Sequence, residues 1–206
     1  MKRRRGASRA TWAARLAAEG TAPELAERLA RYLELLVQWG DVVDLFGGAK
    51  PAGLLTGLVR DALAARPWLP ESGTLIDIGS GNGFPVVPLL VARPGVRGVL
   101  LEPRERRWAF LKEVVRELGL AAEVRRERVA DHPGAGYDAA TVRGVGLEVW
   151  WPHATRLVHE RGTWMWWTNA DNAAALAARV PEGRVLPCAL ANPAGGVLAV
   201  WRRCFT

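Results

Sequence analysis

The stretch that most constrains this chain is LIDIGSGNGFPVVP, Leu75 to Pro88. An apolar strand-like run enters a loop with glycine at 79, 81 and 83, and the loop closes on Phe84 and Pro85. Glycine adopts backbone angles that a β-carbon forbids and lets a ligand approach the main chain. A loop of this kind after a buried strand belongs at the carboxyl end of a parallel sheet, where open α/β sheets bind ligands. The helix that follows offers free N–H groups and the positive end of its dipole. The stretch reads as a cofactor cradle; a tight turn without a ligand is the plain alternative.

The surrounding pattern agrees with such a sheet. After Pro70, apolar runs at 74–78, 98–101, 122–126, 139–142 and 163–167 alternate with helical patterns at 84–92, 104–118 and 146–160. In 104–118 Trp108, Leu111, Val114, Val115 and Leu118 share one face, and Gly119 supplies a stop. Strand–helix alternation calls for a mostly parallel sheet covered on both faces. The tail changes rhythm. RVLPCAL (184–190) and VLAVWRR (197–203), joined by ANPAGG, read as an antiparallel hairpin at the sheet edge, with Pro187 making its first strand irregular.

Before Pro70 the signal is helical. Leu25, Leu29, Tyr32, Leu33, Leu36 and Val37 give a buried face between Pro23 and Trp39, and a second helix is expected from about Ala52 to Arg66. The start, MKRRRGASRATWAARLAAEG, has a charged front, but Arg15 and Glu19 interrupt the apolar middle that a signal peptide needs. It reads as a basic arm leading into a helix. The expected fold is α/β: a Rossmann-like, mostly parallel, seven-stranded sheet with an antiparallel C-terminal hairpin. An N-terminal helical extension (1–68) and a sheet domain (69–206) would form one compact unit.

The loop discriminates among cofactors. A dinucleotide fingerprint is G-x-G-x-x-G; here the third glycine comes one residue early, and no Lys-Ser/Thr pair marks a nucleotide P-loop. Asp77, at the strand end, suits a cationic ligand better than a pyrophosphate. Glu102 ends the second strand, and a carboxylate there can accept from both ribose hydroxyls. An amino-acid end, a sulfonium and a ribose together describe S-adenosyl-L-methionine. A nicotinamide cofactor is the other reading of the glycines.

Two segments, DIGSGNGFPVVPLLVARP and LLEPRERRWAFLKEVVRELGL, resemble the glucose-inhibited division protein B family, the guanine-N7 methyltransferases of small-subunit ribosomal RNA. The resemblance rests on Asp77, Gly79 to Gly83, Phe84 and Pro85, then Arg106, Arg107, Phe110 and Leu111. It implies a class I methyltransferase fold. It also implies that Asp77, Gly79, Ser80, Gly81, Gly83 and Phe84 line the methionine and adenosine, and that Glu102 and Pro103 hold the ribose side. Val129 and Ala130 would meet the adenine through the backbone, although the family often has an acid where Ala130 stands. Arg143 matches the Arg of a Ser-Arg-Ala motif, and Arg143 and Asn169 would bind the guanine edge. A buried pair with Asp138 or Glu102 is the structural alternative for Arg143.

The substrate side departs from the family. Trp39 is followed by Gly40; Asp44-Leu45-Phe46 stands for Asn-Leu-Thr; Leu58-Val59-Arg60-Asp61-Ala62 stands for His-x-x-Asp-Ser; and Thr168-Asn169 stands for Lys-Gly. These changes keep open a methyltransferase for a small molecule or protein, or a non-catalytic relative that binds the cofactor and RNA. The chemistry tolerates lost polar groups, because guanine N7 carries a free lone pair and no proton; alignment is what the reaction needs.

Charge favours RNA. Lys plus Arg number 28 against 21 Asp plus Glu, net +7, and almost all the cations are Arg, which pairs with phosphate in a fork and stacks on bases. Arg104, Arg106, Arg107 and the RRER run at 125–128 are the candidate rim, and Trp167 is the candidate stacking platform. The expected partner is small-subunit rRNA or the ribosomal particle, met by a monomer. Cys188 and Cys204 have no metal spacing and form no disulfide framework, which fits a reducing cytoplasm. His132, His153 and His159 suggest no metal site, and no apolar run reaches the roughly 18 residues of a membrane span.

Overall fold

The computed structural model describes residues 8–40, 42–46, 55–180 and 196–202. Three helices come first: α1 (Arg9–Ala18), α2 (Pro23–Gly40) and α3 (Leu55–Leu63). The sheet region then alternates β1 (Ser72–Ile78), α4 (Val86–Ala92), β2 (Gly95–Leu101), α5 (Glu105–Leu118), β3 (Ala122–Arg125) and β4 (Tyr137–Arg143). Two short helices, α6 (Leu147–Trp150) and α7 (Ala154–Leu157), lead to β5 (Val158–Thr168), α8 (Ala170–Arg179) and β6 (Val197–Arg202). Strand order is β3-β2-β1-β4-β5-β6. Neighbours pair in parallel up to β5, and β6 runs antiparallel to it. The described sheet thus has six strands; the expected strand at 184–190 lies outside the described residues.

The order explains where a ligand can sit. The chain steps outward through β1, β2 and β3, then returns to the other side of β1 with β4. The carboxyl ends of β1 and β4 therefore open a crevice between loops that turn opposite ways. Among the described residues no helix is long and apolar enough to cross a membrane.

The expected helix at 146–160 is the clearest difference. It breaks into α6, a tighter turn at Trp151–His153, and α7, and β5 begins at Val158. Pro152 lacks the N–H that a continuing helix would use and crowds the preceding turn. Val158 instead pairs with Tyr137 across a register irregularity in β4.

Both sheet faces are buried, but against different partners. Leu75, Leu100, Ala139, Met165 and Trp167 point to the face covered by α1–α5, with Trp12, Leu29, Leu36 and Phe110. Ile76, Leu101, Ala140, Val142, Trp164 and Trp166 point to the other, with Trp150, Leu157 and Leu176. The period-2 alternation of a strand makes this division. The N-terminal helices thus share a core with the sheet. Arg28 donates to the carbonyls of Val91 and Leu118, at the ends of α4 and α5, at 3.4 and 3.0 Å. Arg31 bridges Glu34 and Glu117, both at 2.6 Å.

Tyr32 carries this packing to the glycine loop. Its hydroxyl donates to the Asn82 carbonyl at 2.7 Å, and its ring meets Phe84 edge-on at 5.2 Å. Tyr32→Phe is expected to lower stability by about 1–2 kcal/mol, since the carbonyl loses a buried donor. Urea unfolding measures this, and amide exchange of Gly81 to Phe84 should quicken more than exchange in β5. Equal exchange in both places would show that Tyr32 does not restrain the loop.

Candidate functional site

The site forms where β1 and β2 end. The Gly79 and Ser80 N–H groups both donate to the Leu101 carbonyl, at 2.9 and 3.0 Å, and Gly83 N–H closes the loop on the Ser80 carbonyl at 2.7 Å. Gly79, Gly81 and Gly83 take φ of +70°, +53° and +91°, left-handed angles that favour glycine. Their surroundings differ. A β-carbon at Gly81 would meet nothing nearer than 3.6 Å, so the main chain there is open to a ligand. At Gly83 it would lie 2.8 Å from Val87 and 2.9 Å from the Tyr32 hydroxyl. Gly83 is therefore required by the docking of α2 on the loop, a reason the expected cradle role did not include.

Glu102 ties the two loops together. Its residue is 2% exposed; one carboxylate oxygen accepts from Gly81 N–H at 2.9 Å and the other from Arg104 N–H at 2.8 Å. A carboxylate has about four acceptor positions, so both oxygens keep capacity for a ligand hydroxyl. Asp77 is 1% exposed at the end of β1. Its Oδ1 accepts from the Thr141 hydroxyl at 2.6 Å, while its Oδ2 is buried with no partner. Burial pushes this carboxyl up from 3.8 to about 6, against the pull of the Ser80 and Thr141 hydroxyls, and Glu102 adds to the rise. An acceptor left open at the buried end of β1 fits a cationic group, although Asp77 itself does not line the adjoining cleft.

A cleft of about 940 Å³ brings many of the expected residues together: Gly79, Ser80, Gly81, Phe84, Glu102, Pro103 and Arg143 all line it. Arg104, Arg107 and Arg128 join them from the candidate rim. The cleft's apolar lining comes from Leu45, Phe46, Leu58, Val145 and Val149, with Val145 packed close to Gly79. Leu45, Phe46 and Leu58 stand in the altered substrate-side motifs, whereas Val145 and Val149 carried no sequence signal for this wall. Phe46 is held there by its N–H to the Asp44 carboxylate (3.3 Å), and Arg107 donates twice to the Asp44 carbonyl, at 3.0 and 2.7 Å.

Arg143 pairs with neither of its expected structural partners. Both Glu102 oxygens accept backbone N–H groups, and Asp138 is engaged by Thr74 and His159. Arg143 lies largely buried in the field of Asp61 and Tyr32; burial pulls its guanidinium below the ordinary arginine range, and its Nη1 has no partner.

Other expectations fall elsewhere. Asn169 is the N-cap of α8: its Oδ1 accepts from Asn172 N–H at 2.8 Å, and it does not line the cleft. Trp167 is 3% exposed, with its indole N–H donating to the Asp61 carbonyl at 2.9 Å. It is core and offers no face for stacking. The Val129 side chain is buried behind the sheet and Ala130 is exposed, with neither in the cleft lining. Arg125 and Arg126 are engaged by Glu123 and Glu105, at 2.9 and 3.2 Å, and leave the rim.

Comparison with known proteins places this arrangement. The protein from Xanthomonas campestris pv. campestris (strain B100) named ribosomal RNA small subunit methyltransferase G is 37% identical over 134 residues. The match takes in 63% of this chain and 62% of that protein, so the chain spans less than two thirds of this curated relative's length. Among solved structures, the tRNA (m1A58) methyltransferase TrmI from Aquifex aeolicus aligns with TM-score 0.58 at 12% identity, over 72% of this chain and 69% of that one. An RNA methyltransferase from Salinibacter ruber, in complex with S-adenosyl-L-homocysteine, aligns with TM-score 0.52 at 19% identity, over 70% and 89%. At these identities the likeness is one of fold, and the fold is that of the class I methyltransferases. The family model for rRNA small subunit methyltransferase G matches residues 25–180, from within α2 through α3, the glycine loop and β1 to α8, and the chain belongs to this family, GidB.

Proposed function

We propose that this chain transfers a methyl group from S-adenosyl-L-methionine to guanine N7 of small-subunit (16S) ribosomal RNA, in the cytoplasm and as a monomer. The observation that carries the reading is the open Gly81 backbone with the Glu102 carboxylate held against it in one cleft, in a chain of the GidB family. Asp77 holds the cationic amino-acid end. Glu102 accepts from the ribose while it keeps the loops in register. Val129 and Ala130 offer backbone to the adenine. When bound, the cofactor supplies an electrophilic methyl on its sulfonium, which the N7 lone pair attacks in line with the leaving sulfur.

No residue of the chain needs to take a proton, since N7 has none. Its task is alignment and exclusion of water, which in favourable cases supplies about 7–11 kcal/mol of the barrier. The wall of Leu45, Phe46, Leu58, Val145 and Val149 suits that task, as it presents apolar surface to a planar base. Arg143 supplies the donor for an acceptor on the base edge or the cofactor carboxylate through its unpartnered Nη1. Asn169 has no part in this reading, because its oxygen caps α8.

The test is expression in cells deleted for their own enzyme of this family, with 7-methylguanosine quantified in 16S rRNA by mass spectrometry. Restored methylation at the missing guanine is the expected result. No methylation by a folded protein that binds S-adenosylmethionine in vitro would move the substrate elsewhere.

A further inference from the structure

A second cleft adjoins the first. It measures about 820 Å³ and is lined by Trp39, Val43, Asp44, Arg104, Glu105, Arg106, Arg107 and Ala109. Arg104 and Arg107 line both clefts, and consecutive residues of one turn divide them: Asp44 faces the second, Leu45 and Phe46 the first. Arg107 fixes that partition through its two bonds to the Asp44 carbonyl. Arg106 lines the second cleft alone. Its side chain is exposed, and among the described residues no carboxylate pairs with it or with Arg104. Of the two acids in the cleft, Glu105 is engaged by Arg126 at 3.2 Å, and the Asp44 carboxylate accepts from Phe46 N–H at 3.3 Å. Trp39 is half-buried, its indole packed edge-on against Phe110 at 5.8 Å.

We propose that this second cleft takes the nucleotide next to the target guanine, with its phosphodiester on the Arg106 and Arg104 guanidiniums and its base against Trp39. The inference rests on the rRNA reading above. Guanidinium forks match phosphate oxygens, and an indole stacks on any base. A target base seated in the first cleft leaves its RNA strand at the Asp44–Phe46 partition, and the second cleft is the cationic surface on the far side. Register at this neighbouring nucleotide would supply alignment that the altered substrate-side motifs no longer give.

The test uses the full chain saturated with S-adenosylhomocysteine and a fluorescein-labelled single-stranded RNA carrying the sequence around the target guanine. Affinity is measured by anisotropy across a salt series for wild type, Arg106→Ala, Arg106→Lys and Arg97→Glu. Arg97 is exposed in the amino-terminal half of β2, away from both clefts. Arg106→Ala is expected to weaken binding about tenfold at low salt, the scale of one charge-assisted contact. It should also reduce the slope of log K against log salt by about 0.7, one phosphate contact on a single strand. Arg106→Lys should keep the slope, Arg97→Glu should leave slope and affinity near wild type, and all variants should bind S-adenosylhomocysteine alike. Wild-type slope and affinity in Arg106→Ala, with wild-type RNA binding intact, would overturn this inference alone. Absence of salt-dependent RNA binding in wild type would overturn the rRNA reading and this inference with it.

Discussion

Glu102→Gln is expected to weaken S-adenosylmethionine binding by at least about 100-fold and to cost about 2 kcal/mol of stability, although the side chain keeps its shape. The reason is the direction of the hydrogen bonds. Both carboxylate oxygens face backbone donors, Gly81 N–H on one side and Arg104 N–H on the other. An amide has one acceptor end and one donor end, so either orientation of the substituted side chain turns an N–H₂ against a backbone N–H. At 2% exposure water cannot take up the stranded donors. The glycine loop or the start of α5 must therefore retreat, and either movement opens the cradle and removes an acceptor for the ribose. Isothermal titration with S-adenosylmethionine and urea unfolding measure the two effects. A dissociation constant within about threefold of wild type would show that Glu102 is only a buckle between loops, without a part in binding.

How far the sequence foretold this site depends on how local each cause is. The places of Gly79, Gly81 and Glu102 at the cleft could be read because they follow from position at a strand end, which apolar patterning marks. The N-terminal helices were legible for the same reason: one face repeats at helical spacing. Gly83 was legible as a glycine but not in its full purpose, since besides Val87 on the next turn a side chain there would collide with the hydroxyl of Tyr32, 50 positions before Asn82, whose carbonyl it holds. Trp167 shows the limit for a strand covered on both faces. Alternation divides Trp164 and Trp166 from Met165 and Trp167, yet both sets are apolar, so nothing in the run says which faces a ligand and which a helix. Asn169 carried a readable signal that pointed the other way: an Asn before an Ala-rich run is an N-cap, and Asn172 N–H is its partner. Of the rim arginines, only their partners separate those that line the clefts from those in local pairs, and Glu105 engages Arg126 from another element.

Asp77→Asn is expected to weaken S-adenosylmethionine binding and to change how stability depends on pH. Burial holds the Asp77 carboxyl at about 6 rather than 3.8. Between these values the folded chain binds a proton that the unfolded chain releases. The contribution of Asp77 to stability is thus most favourable below about pH 4, declines as pH rises toward 6, and stays at its low value above, a change of ~3 kcal/mol at most. Asp77→Asn lacks this decline, so the stability difference between variant and wild type should move in the variant's favour across that window. Binding runs the opposite way. The ligand's amino group stays protonated through this range, and a cation stabilises the ionised acid. Wild-type affinity for S-adenosylmethionine should therefore rise about tenfold per pH unit as pH climbs toward 6 and level off above it. The asparagine variant should bind at least about 100-fold more weakly on the plateau, with no bend near pH 6, because its amide cannot answer the cation with charge. The same buried oxygen is then a liability to stability and the anchor of the ligand. Calorimetric titration of both proteins from about pH 5 to about pH 7, below the titration of the ligand's amino group, decides it: a flat wild-type profile, or an asparagine variant that retains the bend, would remove Asp77 from the binding of the cationic end.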